Sequence, residues 1–587
     1  MQNRHLLPII TIITLLSLLS GHRSTARAQV PPPDARFGAV EAFWDPGAAA
    51  EAGVGWERIL FYWSELQPNG PDEWNSHHVP EDWLASAAAA GREVVGLLKH
   101  TPAWATDGHY GCGVPRGLEL PVDDPGNLWA TFVRRTVALY DGRINHWIVW
   151  NEPDIAVETY GAEWCGSTEE YYRLLQVAYL AAHQANPDAV IHLAGTTFWH
   201  DRDYMRDLMA VAVQDPTGPE HGYYFDVVSL HIYFQTETVP YIVNETRAAL
   251  AAYGIQKPIW INETNASPDS DPLWPLERPR WRVNLEEQAG FLLQAFSLAL
   301  ASGVERVAVY KWMDAGLPPG GEPFGVLRPD HSRRPAYDAY RLITTYYAGA
   351  WGVRERRQPL FYHVTLNRPD QVLHVLWART ATPVTVAVPA QAGEALWVTQ
   401  SGESQAVQPV GGATPYYQLS LPGARCADEY AGCIIGGTTM LLIETGRGDP
   451  GGAWLVAAGN PPPTPLPQPT APPTTTEPTA EPLLSPTPPA TAAPLPEPTT
   501  WPSSTPSPIP TPPPIPAPTP APTSTPRPAP TAAATPSPLP TAAPTSTPAS
   551  PSASNDPGAF SSLLPVLLLA ILFMAAVFIG QVFTRPL

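Results

Sequence analysis

Short apolar runs alternate with stretches of helical periodicity from Arg36 to Tyr347, which is the pattern of a parallel sheet covered by helices. Eight of these runs are bounded by turn residues and predict strands. The runs are Phe37–Glu41, Glu57–Tyr62, Glu93–Lys99, His146–Asn151, Ala189–Ala194, Asp226–His231, Pro258–Asn262 and Arg306–Trp312. We therefore expect an α/β fold with a (β/α)8 TIM barrel over 36–347. A doubly wound open sheet is the alternative, but no glycine-rich phosphate loop follows the first strand.

One of the predicted helices has a clear start. Ser167 is followed three residues later by Glu170, which makes a capping box, and apolar residues then recur at every third or fourth position. This helix should end near Asn186, before the fifth strand.

A different pattern follows the barrel between 351 and 446. Short stretches such as Val372–Trp377 and Val384–Val388 alternate apolar and polar residues, with turn residues between them. This predicts a small antiparallel domain of the β-sandwich type. Packing against the barrel and binding of sugar are both open as its role.

The remaining segments predict export and membrane attachment. Residues 1–28 have a charged start, an apolar run and a small-residue cleavage site, as in a secretory signal peptide. Most of the 74 prolines lie beyond Asn460, and 461–557 consists almost entirely of Pro, Thr, Ala and Ser, so we expect a disordered linker there. The apolar run 559–583 predicts a single C-terminal transmembrane helix, with Arg585 on the cytoplasmic side. The protein should therefore lie on the extracellular face of the membrane.

Charge and cysteine content narrow the function further. The 34 basic and 54 acidic residues give a net charge of −20, which argues against nucleic acid as a partner. Four cysteines suit an oxidising compartment. Cys426 and Cys433 are close enough to close a small loop, and Cys112 and Cys165 would then pair between the loops after strands three and four. Because no two of them have Cys-x-x-Cys spacing, we expect two disulfides and no metal site.

Two of the predicted strands run directly into a glutamate. The run Trp147–Asn151 leads into Glu152 and a proline, and Pro258–Asn262 leads into Glu263. Catalytic groups of a (β/α)8 barrel lie at the C-terminal ends of its strands. A pair of carboxyl groups there is the apparatus of glycoside hydrolysis, in which one donates a proton to the leaving oxygen and the other attacks the sugar carbon.

These motifs resemble those of the clan-A retaining glycoside hydrolases, with families 39 and 5 the most similar. Asn151-Glu152-Pro153 is similar to the acid/base motif after strand four of that clan, and Glu263 to the nucleophile after strand seven. The resemblance covers the barrel region. Strand seven departs from it, because Asn262 precedes Glu263 where many members have Thr or Ser, and because no Gly follows soon after.

The resemblance extends to supporting positions. His231 and Tyr233 end strand six, where clan members place a histidine and a tyrosine beside the nucleophile, although His231 also suits a core histidine. Arg58 lies in strand two, where the clan often has an arginine paired with the nucleophile. Glu57 and Glu65 are alternative partners for Arg58, and an outward direction toward solvent is also open.

Three further residues are expected at the site. Asn151 resembles the asparagine that binds the sugar 2-hydroxyl, although it also suits the end of a strand. Trp312 resembles the aromatic platform under the sugar. His100 is a further candidate at the end of strand three.

The resemblance implies a double displacement on β-linked oligo- or polysaccharides, without a metal or organic cofactor. Arg58 and Tyr233 should lower the pKa of Glu263, while Glu152 must carry a proton when substrate arrives. One alternative is a catalytically silent barrel that binds carbohydrate for adhesion, against which the presence of both glutamates argues. Another is a barrel of other chemistry, such as a transglycosylase or a lyase, which product analysis separates.

Overall fold

The structure is a computed structural model that describes residues 32–159, 161–318, 320–426, 433–446 and 451–456. The predicted signal peptide 1–28, the linker 461–557 and the helix 559–583 lie outside these residues. Within the described ranges, no helix is long and apolar enough to cross a membrane.

Eight parallel strands form a barrel. They are β1 Phe37–Val40, β2 Trp56–Tyr62, β3 Glu93–Lys99, β4 His146–Asn151, β5 Val190–Gly195, β6 Val228–Tyr233, β7 Ile259–Asn265 and β8 Arg306–Val309. Hydrogen-bonded neighbours run in the order β5-β4-β3-β2-β1-β8-β7-β6. Isolated parallel bridges His192–Val227 and Thr196–Leu230 join β5 to β6 and close the ring. Each strand overlaps its predicted run, so the barrel predicted from the sequence is confirmed.

Strands β6, β7 and β8 differ from the predicted bounds at their C-terminal ends. Strand β7 continues to Asn265, and β8 ends at Val309 rather than at Trp312. The pairing of β6 with β7 shifts register between Leu230 and His231, and that of β7 with β8 shifts between Ile261 and Thr264. Such irregularities re-aim side chains, and both lie beside the predicted site residues.

Helices cover the outside of the barrel. In the part of the chain that the structure describes, the α-helices are α1 Pro46–Glu51, α2 Trp63–Leu66, α3 Glu81–Ala89, α4 Leu128–Leu139, α5 Thr168–Ala185, α6 Tyr204–Ala212, α7 Thr238–Ala251, α8 Leu285–Ala301 and α9 Pro335–Leu342. Shorter turns of 3₁₀ type span Ala42–Trp44, Ala103–Ala105 and Gly218–Tyr224, and a π-type turn spans Ile343–Tyr347. The capping box at the start of α5 is present, since Ser167 accepts from the Glu170 amide at 3.2 Å and the Glu170 carboxylate accepts from the Ser167 amide at 2.7 Å.

Nine further strands form two antiparallel sheets among the described residues. They are β9 Trp351–Arg357, β10 Phe361–Asn367, β11 Gln371–Ala378, β12 Val384–Pro389, β13 Ala395–Thr399, β14 Ser404–Val407, β15 Tyr416–Leu421, β16 Met440–Thr445 and β17 Trp454–Leu455. The sheet orders are β14-β13-β16-β11-β10-β9 and β15-β12-β17. Leu376 and Leu442 of the larger sheet pack with Val386 and Tyr417 of the smaller one, as the two-layer prediction requires.

The other face of the larger sheet packs on the barrel through α8. Alternate residues of its strands, such as Val375 and Leu441, belong to the same buried cluster as the apolar residues of α8. Gln294 of α8 is fully buried, and its amide nitrogen donates to the Gly437 carbonyl at 3.1 Å and to the Thr439 hydroxyl at 3.0 Å. Packing against the barrel, one of the two roles left open for this domain, is therefore what the structure shows.

A chain of buried polar groups links the strands inside the β domain. Nε2 of His363 and Nδ1 of His374 are 3.0 Å apart, and His374 Nε2 is 3.1 Å from the Glu444 carboxylate. The Ala453 amide, next to β17, donates to His363 Nδ1 at 3.3 Å. Burial, the neighbouring His374 and Arg356 hold the pKa of His363 well below its usual value. The neutral form of His363 is thus built into the fold.

Candidate active site

The C-terminal ends of β4, β6 and β7 bring the predicted carboxylates and their partners together. Glu152 follows β4 directly and its amide donates to the Gly195 carbonyl at 3.0 Å. His231 and Tyr233 lie at the end of β6, beside Glu263 on β7, and His231 pairs with Glu263 in register. An oxygen of each glutamate and a nitrogen of His231 lie within 4.8 Å of one another. The two strand-end glutamates found in the sequence are therefore neighbours in space.

Glu263 is enclosed by hydrogen-bond donors. The guanidinium of Arg58 forms an ion pair with one carboxylate oxygen, and the hydroxyl of Tyr233 donates to the other. Burial alone would raise the pKa of Glu263, but the charges of Arg58 and His231 and the hydrogen bond from Tyr233 lower it below its usual value. Glu263 is held as a carboxylate with both oxygens engaged, as the sequence predicted.

Arg58 has one of the three partners considered for it. Arg58 is buried beside Glu263, whereas Glu57 forms a 2.7 Å ion pair with Arg92 and Glu65 lies 3.5 Å from His78. Successive side chains of a strand point to opposite faces, so Arg58 and Glu57 leave β2 in opposite directions. The outward orientation that the sequence left open for Arg58 is wrong.

Glu152 has a different environment from Glu263. Its side chain is 19% exposed, and one oxygen lies 2.6 Å from Nδ1 of His231. The same nitrogen is 3.5 Å from Glu263, so one imidazole bridges both carboxylates. Burial would lower the pKa of His231, but the charge of Glu263 and the hydrogen bond to Glu152 raise it above its usual value. His231 is thus a member of the site and not an ordinary core histidine.

Gly195, at the end of β5, makes room for His231. A Cβ atom on Gly195 would lie 2.1 Å from Nε2 of the imidazole, so any side chain there would displace the ring. The sequence analysis did not identify Gly195. The only signal was a glycine at the end of a predicted strand, which many structural roles would explain equally well.

Asn151 lies at the mouth of the barrel next to Glu152. Asn151 is 8% exposed, and within the described ranges its side-chain oxygen has no hydrogen-bond partner. Buried polar atoms are normally satisfied. Asn151 is therefore available to a polar group of a ligand, which fits the predicted contact with a sugar hydroxyl better than a role in ending the strand.

Trp312 is not part of this arrangement. It is fully buried, packs on Tyr337 and Tyr340, and its indole nitrogen donates to the Asp45 carbonyl at 3.2 Å. The predicted platform role is wrong, because β8 ends early and the aromatic ring that reaches the site comes two residues before. That ring is Tyr310, which packs edge-on against Tyr233 with 6.0 Å between centroids.

His100 lies at the end of β3, as predicted, but it is not hydrogen-bonded to either glutamate. Its Nδ1 is 2.7 Å from the hydroxyl of Ser64, and its ring meets those of Tyr62 and Tyr110 edge-on. The structure places His100 in an aromatic layer beside the site.

The loops at the mouth of the barrel hold an unusual backbone. The non-glycine residues with positive φ that follow or end barrel strands are Glu41, His100, Trp150, Glu152, Phe198 and Phe234. Such conformations cost on the order of 1–3 kcal/mol each and concentrate at functional sites. Their occurrence at several strand ends marks this edge of the barrel as the functional one.

Comparison with solved structures shows which known proteins have a similar fold. A family 39 glycoside hydrolase from the gut symbiont Bacteroides cellulosilyticus WH2 superimposes with a TM-score of 0.53 at 15% identity, over 70% of this chain and 81% of that one. The barrel shares its fold with that structure. The resemblance noted in the sequence is thereby confirmed for the architecture.

Two other solved structures are more distant. The family 39 enzyme from Xanthomonas axonopodis pv. citri has a TM-score of 0.45 at 13% identity, over 70% of this chain and 94% of that one. The family 30 xylanase C domain from Talaromyces cellulolyticus has a TM-score of 0.47 at 12% identity, over 70% and 96%. No protein-family model and no curated protein matches the sequence.

Proposed function

We propose that this chain is a retaining glycoside hydrolase, with Glu263 as the nucleophile and Glu152 as the general acid and base. The observation that carries the proposal is that two carboxyl groups share one site but have different surroundings. Glu263 is buried and paired with Arg58 and Tyr233, whereas Glu152 is partly exposed and, among the side chains described, its carboxylate is hydrogen-bonded to the shared histidine. One group is suited to attack and the other to proton exchange.

The distance between the carboxyl groups favours retention. Oxygens of Glu152 and Glu263 lie within 4.8 Å of each other, whereas inverting enzymes separate their carboxyl groups by about 6.5–9.5 Å to admit a water molecule. Retaining enzymes separate them by about 5–5.5 Å. The separation in this protein is below the inverting range.

The first half-reaction follows from these positions. Glu152 gives its proton to the glycosidic oxygen, which leaves with the electrons of the C–O bond, while Glu263 attacks the sugar carbon and forms an ester. Arg58 and Tyr233 hold Glu263 in place as this occurs. In the second half-reaction, Glu152 takes a proton from water, the oxygen of that water bonds to the sugar carbon, and the ester to Glu263 breaks.

His231 must release Glu152 for this cycle to run. The imidazole is buried, and in the free protein it shares a proton with Glu152 across a 2.6 Å hydrogen bond. Glu152 then acts as an acid only when its proton is directed to substrate rather than shared with His231. His231 is a positioning residue in this proposal, since it acts through the two glutamates.

The same three side chains have the composition of a cation site, and their surroundings decide against it. Glu152, His231 and Glu263 each offer a ligand atom, but one oxygen of Glu263 is already ion-paired with Arg58 and the other accepts from Tyr233. A metal ion would have to displace the guanidinium or lie next to its positive charge. The arrangement favours proton transfer over metal binding.

The substrates proposed are β-linked oligo- or polysaccharides. Asn151, with its unpartnered buried oxygen, would bind the sugar 2-hydroxyl, an interaction that strengthens in the transition state. A transglycosylase would use the same residues and differ only in the acceptor. The test is to incubate the purified protein with a panel of aryl β-glycosides and polysaccharides and to identify the products. Absence of hydrolysis and of transfer across the panel would refute the proposal.

The location proposed is the extracellular face of the membrane, with a single anchor at 559–583. The support is the sequence alone: an apolar C-terminal run behind a Pro/Thr-rich tract, and an N-terminal signal. Full-length protein should fractionate with membranes, and a version that ends near Asn460 should be released with its activity. Equal solubility of the two versions would contradict the anchor.

A further inference from the structure

Two exposed aromatic rings lie side by side near the barrel mouth. Trp199 is 46% exposed and Tyr241 is 45% exposed. Their centroids are 6.2 Å apart and their planes differ by 22°. The two rings are therefore nearly parallel, and nearly half of each residue remains exposed. Phe198 supports both rings edge-on, at 5.0 Å from Trp199 and 5.7 Å from Tyr241.

This pair is unlike the scattered exposed hydrophobic residues elsewhere on the surface. Single exposed apolar residues are normal and need no explanation, and Trp351 of β9, 56% exposed, is one of them. Trp199 and Tyr241 instead come from two different segments, the loop after β5 and helix α7, and their nearly parallel rings form one exposed aromatic cluster. An exposed aromatic ring of this kind matches the apolar face of a sugar ring.

The loop that carries Trp199 is tied to the loop that carries Glu152. Asp154, two residues after Glu152, accepts hydrogen bonds from the Thr197 amide at 2.8 Å, the Thr197 hydroxyl at 2.6 Å and the Phe198 amide at 3.1 Å. Asp154 is 4% exposed. The loop of Trp199 is thus fixed relative to the group that would protonate the leaving oxygen.

We propose that Trp199 and Tyr241 form a binding platform for a sugar ring in the leaving-group part of the substrate. The inference rests on the proposed function and deepens it, since the substrate must then be an oligo- or polysaccharide with at least one sugar beyond the scissile bond. Glu152 protonates the leaving oxygen, so the chain beyond that oxygen extends over the loops next to Glu152. The guanidinium of Arg202 lies over one face of the Trp199 ring, 4.6 Å from its centroid, so the sugar would bind at the other face, with the Arg202 donors at its edge.

The test compares Trp199→Ala and Tyr241→Ala in the full chain with Trp351→Ala as a matched control. Binding of cellobiose, cellohexaose, xylobiose and xylohexaose is measured by titration calorimetry, which does not require turnover. We expect each platform variant to weaken binding of a hexaose by roughly tenfold, on the order of one stacked ring, with the control unchanged. Trp199→Phe, which keeps an aromatic face, should recover most of the affinity.

Measuring turnover is a second, independent test of the platform. For the same variants, kcat/KM on the hexaose should fall by roughly tenfold relative to kcat/KM on an aryl monoglycoside. Platform variants that bind and cleave the hexaose as the Trp351→Ala control does would overturn the inference while leaving the proposed function intact. Absence of turnover in the wild type would overturn the proposed function, and the calorimetry would then decide on the platform alone. Absence of binding to the wild type would overturn the platform.

Discussion

Nδ1 of His231 lies 2.6 Å from Glu152 and 3.5 Å from Glu263, so one buried nitrogen is shared by both carboxylates. The positive charge of His231 is one of the causes that lower the pKa of Glu263, and that of Arg58 is the larger. The acid limb of the pH–rate profile should report the ionisation of Glu263.

Removing either charge should therefore move this limb. We expect His231→Gln to shift the acid limb of kcat/KM to higher pH, because Glu263 then needs a higher pH to ionise. Arg58→Gln should shift it further. The measurement is kcat/KM against pH on an activated aryl glycoside. Profiles that keep the wild-type limb in both variants would contradict the assignment of Glu263.

Replacing Glu263 and replacing Glu152 should have different effects on turnover. Glu263→Ala should abolish turnover, because no ester can form. Glu152→Ala should be less severe on substrates whose leaving group needs no protonation, since only deglycosylation then lacks its base. Azide should rescue the Glu152 variant and give a β-glycosyl azide, identified by NMR. An α-configured azide from a β-glycoside would show that the reaction inverts.

Gly195→Ala should disturb the site without contact with substrate. The added Cβ would lie 2.1 Å from His231 Nε2, and overpacking of this kind costs about 1–3 kcal/mol. A displacement of about 1 Å near catalytic groups can reduce the rate on the order of a hundredfold. Gly70→Ala is the control, since a Cβ there meets nothing within 4 Å. Equal kcat/KM in both variants would show that the position of His231 does not matter.

The two disulfides should differ in their contribution to stability. The structure pairs Cys112 with Cys165, 53 positions apart in the sequence, and Cys426 with Cys433, 7 apart, so both predicted bonds are present. The entropy of the closed loops then makes the first bond worth about 2 kcal/mol more than the second. Denaturant unfolding of the two Cys→Ser double variants measures this, and non-reducing peptide mapping tests the pairing. A larger loss from the short loop would contradict the estimate.

Acid should weaken the β domain through His363. The pKa of His363 is lowered in the folded state by burial and by His374 and Arg356. At mildly acidic pH, the unfolded chain therefore binds a proton at His363 that the folded chain does not bind. Stability is complete above the unfolded pKa of about 6.5 and is lost as the pH falls below it. Thermal unfolding at about pH 7.5 and 5.5 should show a smaller drop in Tm for His363→Gln than for the wild type. The exposed His77→Gln is the control, and it should drop as the wild type does.

The sequence was sufficient for the barrel and for the two glutamates. Fully buried parallel strands read as apolar runs, and a carboxylate directly after such a run stands out. The sequence was not sufficient to decide which of Glu57 and Arg58 faces the site. Strands that are buried on both faces lack the alternation of apolar and polar residues that would show which way each side chain points. Trp312 was misassigned because the end of β8 is set by pairing with its neighbours, which local sequence does not encode. Gly195 became meaningful only once His231 was placed against it.

Helix α8 prevents the barrel and the β domain from being separated into independent proteins. Every residue from Gln288 to Leu300 is buried, with the barrel on one side and the larger β sheet on the other. Cutting the chain after the barrel would expose an apolar face where the sheet had been, and the product would be expected to aggregate. Exchange of the β domain for an unrelated module, by recombination or by design, would require the residues of this helix that face the sheet to be changed at the same time. The barrel and the β domain can therefore be inherited or transplanted only together.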